Sequence, residues 1–250
     1  DVNEYFTRNS VIIDFSHATC PIKKMGYASE EEYFKPTSLI KKLFYLILNP
    51  YGYVKPSYLT SSSEFTAEFA ESIYEIDDSR IMKLGLPKTD SLLNDSEELD
   101  EKVNILINKI IGNIDNNNII LFLPTFRNNP DYDLFNYDFD LMQLEFFLNN
   151  NNLLLLMNLH PFDNNRFAKF SGKKLKRIIM LNLIGDELNL LLRKVSIFIT
   201  DYSSLWADFL IYNCPIIFAQ YDHDKYLTER KVYNLQNNLP GHIVKNWPEL

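Results

Sequence analysis

Between residues 57 and 218 short apolar, β-branched runs alternate with segments of helical spacing, and this constrains the fold more than any other feature of the chain. The clearest instance is residues 194–221, KVSIFITDYSSLWADFLIYNCPIIFAQY. Val195 to Thr200 is apolar on both sides of the pleat, as a strand buried on both faces must be. Asp201, Tyr202, Ser203 and Ser204 stop the run. Leu205, Asp208, Phe209 and Tyr212 then fall at helical spacing. Asn213-Cys214-Pro215 ends that helix, and Pro215 to Phe218 begins another strand. Two readings of Asp201, Ser203 and Ser204 stay open. Their oxygens can cap the helix, or the loop can seat an anion at the helix start.

The same alternation extends upstream. Tyr58–Thr60, Arg80–Leu84, Ile119–Leu123, Leu153–Asn158 and Ile178–Leu181 read as strands. Helices are expected from Ser61 to Ile73, Asp95 to Ile111, Phe139 to Asn149 and Gly185 to Arg193, with an Asn-rich turn over 112–118. Such a chain predicts an α/β fold with a Rossmann-like parallel sheet flanked by helices. Ligands of these sheets bind beyond the carboxyl ends of the strands. The polar groups directly after the expected strands are therefore the candidates: Gly85 to Asp90, Thr125 and Arg127, His160, and Asp201 to Ser204. Arg offers a fork of donors suited to phosphate oxygens, and His can move a proton near neutral pH. Each also has an ordinary reading as a loop residue or surface ion pair.

Before residue 57 the pattern is looser. Ser10–Phe15 reads as a strand, followed by His17, Lys23 and Lys24, which suit an anionic substrate or a solvated turn. Ser29-Glu30-Glu31-Glu32 reads as a helix start. Ser38–Leu48 carries an apolar stripe with Lys41 and Lys42 on another face, either an ordinary amphipathic helix or a surface for membrane or another part of the chain. Asn49 to Gly52 reads as a turn.

Composition excludes some partners. With a formal charge of −8 the chain is a poor candidate for nucleic-acid binding. Two cysteines, Cys20 and Cys214, form no metal-type cluster or disulfide framework, which points to a reducing compartment. No apolar run approaches the ~20 residues that span a bilayer. The charged start, without Met, and the abrupt end at Trp247-Pro248-Glu249-Leu250 lead to the expectation of a fragment of a larger protein.

The ordered stretches GLPKTD, LPTFR, LHP, ITDYSS with Asp208 four residues on, PIIF, YD and LPG resemble the CDP-glycerol glycerophosphotransferase family of teichoic-acid primases and polymerases, related to capsule polymerases. The likeness runs from about Tyr58 to Leu250, and more weakly back to Ser10. Lys88 stands where the family has Arg. The His17 loop has one residue more than the family's His-Gly-Thr-Pro-Leu-Lys and lacks its Gly, whereas His160-Pro161 matches directly.

The resemblance implies the C-terminal half of a GT-B fold. Residues 1–56 would be the tail of the acceptor-side domain with linking helices, and 57–250 the nucleotide-donor domain. It implies transfer of glycerol phosphate from CDP-glycerol to a polyol-phosphate or glycan-lipid acceptor, with release of CMP. The location would be the cytoplasm, peripheral to the inner face of the plasma membrane. His17 and His160 would be catalytic. Thr125, Arg127, Thr200, Asp201, Ser203, Ser204, Asp208 and Asp90 would hold the donor. No carboxylate pair is spaced like a metal site, so no cofactor is expected, with Mg²⁺ on the diphosphate left open. The rival readings are a CDP-ribitol or nucleotide-sugar transferase, and a non-catalytic nucleotide-binding domain, which the altered His17 loop favours.

Overall fold

A computed structural model of the chain describes residues 10–15, 20, 22–29, 31, 34–48, 55–93, 96–112, 118–127, 132–159 and 175–250. The turn expected at 49–52 and the middle of that expected at 112–118 lie outside these, while Asn118 already belongs to a strand. The described chain forms two compact units, Asp1–Ser91 with Tyr226–Asn234, and Leu92–Lys225 with Leu235–Leu250.

The first unit holds β1 (Ile13–Asp14), α1 (Leu39–Leu48), β2 (Tyr58–Ser61), α2 (Glu64–Tyr74), β3 (Ile81–Lys83) and most of α3 (Pro87–Leu93). Its three strands form one parallel sheet, β1-β2-β3. This corrects one expectation: the strands at 58 and 81 belong to a sheet of their own. The reason is pairing: β2 and β3 extend β1, and Leu59 and Ile81 close a small core with Ala67 and Ala70 of α2.

Helix α2 begins where the hydroxyl cluster predicts. Ser63 accepts from the Thr66 amide, and the Thr66 hydroxyl accepts from the Ser63 amide, a capping box. Ser29 does not open a helix. Its hydroxyl donates back to the Gly26 carbonyl at 2.7 Å, closing the 3₁₀ turn Gly26–Ser29. Helix α1 buries none of its residues; Leu39, Ile40 and Ile47 are 85%, 81% and 72% exposed.

The second unit carries α4 (Glu97–Ile111), β4 (Asn118–Leu123), α5 (Leu141–Asn150), β5 (Leu153–Asn158), β6 (Ile178–Leu181), α6 (Asp186–Leu192), β7 (Val195–Thr200), α7 (Leu205–Phe209), β8 (Ile216–Ala219), α8 (His223–Arg230, shared with the first unit) and β9 (His242–Val244). Its sheet is wholly parallel, in the order β6-β5-β4-β7-β8-β9. The central strands are buried on both faces, as their unbroken apolar runs require. Leu121, Leu154, Leu156 and Phe198 are fully enclosed. One face packs Ile120, Phe122, Leu155 and Ile199 against α5 and Trp247.

The first three strands of this unit run outward from β4 in one direction, and the last three run outward from β7 in the other. The reversal creates a switch point between β4 and β7, where a doubly wound sheet leaves a crevice at its carboxyl edge. At the far edge, Gly241 explains the Leu239-Pro240-Gly241 stretch. A Cβ there would stand 2.1 Å from the Ile216 carbonyl oxygen, so only glycine lets the chain pass β8 into β9.

Candidate functional site

The switch point brings together the loops after β4, β7 and β8. Their register is fixed first. Leu123 pairs with Thr200, and the enclosed Thr200 hydroxyl donates to the Leu123 carbonyl at 2.7 Å. The strand ends therefore stop level, and the loops leave from one line.

At the centre of those loops lies Arg127, 2% exposed. Its Nε donates to Asp222 Oδ2 at 2.7 Å, and Nη2 donates to Asp222 Oδ1 and to Asp201 Oδ2, both at 2.9 Å. Nη1 donates to the Thr125 carbonyl and to the Thr125 hydroxyl, both at 2.7 Å. A guanidinium has five N–H donors, and here all five are taken up within the fold. Its carbon lies 4.7 Å from the Tyr132 ring centroid and 5.0 Å from that of Tyr202, within cation–π range. Burial on its own would pull the Arg127 pKa down. The carboxylates of Asp201 and Asp222 outweigh it and hold the pKa above its ordinary value.

Arg127, expected as a fork for the diphosphate, has its donors turned to the protein in this arrangement and clamps three rim loops together. Asp201 is likewise turned inward. Its Oδ1 accepts from the Thr125 amide at 2.8 Å and from the Tyr202 amide, so it does not cap α7. Thr200 and Asp208 are buried too. The donor residues expected at the rim thus split into two groups. Thr200, Asp201, Arg127 and Asp208 build the frame; Thr125, Ser203 and Ser204 stay partly exposed. The Ser203 hydroxyl accepts from the Leu205 amide at 3.3 Å, and Ser204 is the N-cap of α7 without a side-chain bond to it.

Asp90 is exposed on α3, in the first unit, and its strand β3 is not part of the six-stranded sheet. His17 and His160 lie outside the described residues. Among the described residues, no group of three or more His, Cys, Asp or Glu is arranged to hold a metal ion. Nor, among them, is any helix long and apolar enough to cross a membrane.

The sequence reading assigned no role to Asp222, Tyr202 or Tyr132. The edge rule that found Thr125 and Asp201 would have found Asp222, since it stands three residues past the end of β8. Tyr132 left no signal, because it reaches Arg127 from an irregular loop. Burial raises the phenol pKa of both Tyr132 and Tyr202, so both rings serve as neutral walls.

The sequence profile of the family described as CDP-glycerol:poly(glycerophosphate) glycerophosphotransferase matches residues 2–250. The chain belongs to this family. Among curated relatives, it is 28% identical over 256 residues to the teichoic acid ribitol-phosphate polymerase TarL of Staphylococcus aureus, covering 98% of the chain and 42% of that protein. It is 29% identical over 250 residues to the teichoic acid glycerol-phosphate primase of Bacillus subtilis, covering 96% of the chain and 60% of the primase. The chain thus spans about two fifths to three fifths of these relatives. The wall teichoic acid polymerase TagF superposes with a TM-score of 0.69 at 24% identity, over 96% of this chain and 57% of that one. That likeness is one of fold, and the Rossmann-like α/β class expected from the sequence is the one found.

Proposed function

We propose that this family member is the donor-binding part of a polyol-phosphate transferase acting on CDP-glycerol in teichoic-acid-like or capsular polymer synthesis. The observation that carries the reading is the switch-point rim, where partly exposed Thr125, Ser203 and Ser204 are held level by a buried clamp. Hydroxyl and amide donors fixed before the ligand arrives suit the charge of a diphosphate. In the reaction the acceptor hydroxyl attacks the β-phosphorus of CDP-glycerol. The phosphoanhydride bond breaks, CMP leaves, and a glycerol phosphodiester forms. The hydroxyl's proton must pass to a base. The acceptor would be a polyol-phosphate or glycan lipid.

A second donor has specific support. The curated relatives include ribitol-phosphate polymerases at 28% identity, so CDP-ribitol is the main rival. CMP release by the full-length protein over a panel of CDP-glycerol, CDP-ribitol and nucleotide sugars separates them. CMP from CDP-glycerol alone supports the reading, CMP from CDP-ribitol alone moves it to the rival, and binding without turnover makes this a nucleotide-binding domain. Within that assay, Ser203→Ala should weaken donor affinity. Losing one hydrogen bond to a charged group costs about 1.5–3 kcal/mol, or roughly 10- to 150-fold. Titration calorimetry on the folded variant checks this, and unchanged affinity removes Ser203 from the site.

Peripheral attachment to the inner face of the plasma membrane belongs to the same proposal. Helix α1 supports it, because Leu43, Phe44 and Ile47 are 61%, 57% and 72% exposed with Lys41 and Lys42 between apolar positions. An apolar face flanked by lysines suits an anionic bilayer surface. Leu43→Asp with Ile47→Asp should reduce co-sedimentation of the full-length protein with phosphatidylglycerol vesicles by about tenfold or more, since each such side chain is worth about 1.5–3 kcal/mol when buried. Unaltered co-sedimentation would detach α1 from membrane binding.

A further inference from the structure

The carboxyl rim carries one more chemistry-bearing side chain, which the motif reading passed over: His223, the first residue of α8. It follows Asp222, both of whose carboxylate oxygens accept from Arg127. Its ring lies against that of Tyr202, with centroids 6.2 Å apart and planes at 28°. Tyr202 in turn follows Asp201, the other carboxylate in the clamp. His223 is thus held from two sides by the residues that fix the rim.

Its nitrogens are not equivalent. Nδ1 is enclosed and, among the described residues, has no hydrogen-bond partner. The residue as a whole stays partly exposed. With Nδ1 enclosed, Nε2 is the ring nitrogen left to meet a ligand. A ring serving only to pack against Tyr202 would do better as an apolar one, because an enclosed nitrogen without a partner costs stability. The rim also lacks a donor it was expected to have, since all five N–H groups of Arg127 are taken up internally. Two carboxylates lie beneath it, so an anionic ligand there needs side-chain donors from elsewhere.

We propose that His223 is a donor-site residue whose Nε2–H donates to a phosphoryl oxygen of the bound nucleoside diphosphate. This rests on the reading of the rim as a CDP-alditol site.

The test uses the full-length protein with three variants and two probes, CDP-glycerol and CDP-ribitol. His223→Phe keeps the stacked ring and removes the donor. His223→Gln brings an amide N–H near the place of Nε2. His223→Ala removes both. Affinity for the donor that the wild type binds is expected to fall by about 10- to 100-fold in the Phe and Ala variants. The Gln variant should retain most of it, and the donor KM should rise by the same factors. Wild-type affinity in His223→Phe overturns the inference while leaving the site reading intact. Equal loss in Phe and Gln variants overturns it as well, because a hydrogen-bond donor would then not be what matters. A wild-type protein that binds neither probe overturns the site reading and the inference with it.

Discussion

Replacing Arg127 by alanine is expected to destabilise the protein by about 3–5 kcal/mol, the usual cost of removing one partner from a buried charge pair. The side chains of Asp201 and Asp222 are 2% and 4% exposed. Without the guanidinium, two carboxylates would face each other with little access to water. Arg127→Lys should fall between alanine and wild type. It keeps the charge, but an ammonium has three donors where the site uses five, and it lacks the planar fork that meets both oxygens of Asp222. Lys102→Ala should scarcely move stability, because its partner Glu98 is 78% exposed and solvent screens the pair. Urea denaturation of the full-length variants gives the comparison. An Arg127→Ala midpoint close to that of Lys102→Ala would mean that the clamp does not hold the rim together.

That expectation shows where the sequence was legible and where it was not. Strands β5, β6 and β7 have the bounds expected of them, because each is a continuous run of mostly apolar residues. The edge rule also placed Thr125, Asp201 and Ser203 on one line. What the rule could not supply was direction. A polar residue after a strand can face the ligand or turn back under the loop, and the two look identical in one dimension. Arg127 turned back because two carboxylates from the loops after β7 and β8 were waiting beneath it, 74 and 95 residues further along the chain. Nothing local to Arg127 records that. The sheet boundary was missed for a similar reason. The strands at 58 and 81 carry the same β-branched pattern as those that follow, and only their pairing with β1 separates them. Helix α8 and strand β9 were not anticipated, since α8 is polar along much of its length and β9 has only three residues.

The largest kinetic effects are expected at the two histidines, which lie outside the described residues and are assigned through their motifs. His160 comes two residues after the end of β5, next to buried Leu159. β5 is the neighbour of β4 at the switch point. On the proposed function His160 belongs to the donor half of the reaction, so His160→Ala should slow turnover and also weaken donor binding. His17 comes three residues after the end of β1, in the first unit, and Lys23 and Lys24 follow it. As the proposed base for the acceptor hydroxyl, it should matter to transfer and not to donor affinity. Loss of a positioned proton acceptor typically costs about 10²–10⁴-fold in rate. The measurement is turnover and donor affinity for both variants in the full-length protein. The decisive pattern is a His17→Ala enzyme that binds the donor like wild type and transfers at least a hundredfold more slowly, a drop at the low end of that range. If His17→Ala transfers at the wild-type rate, His17 is not the base. The extra residue in its loop would then mark a real divergence in how the acceptor is activated.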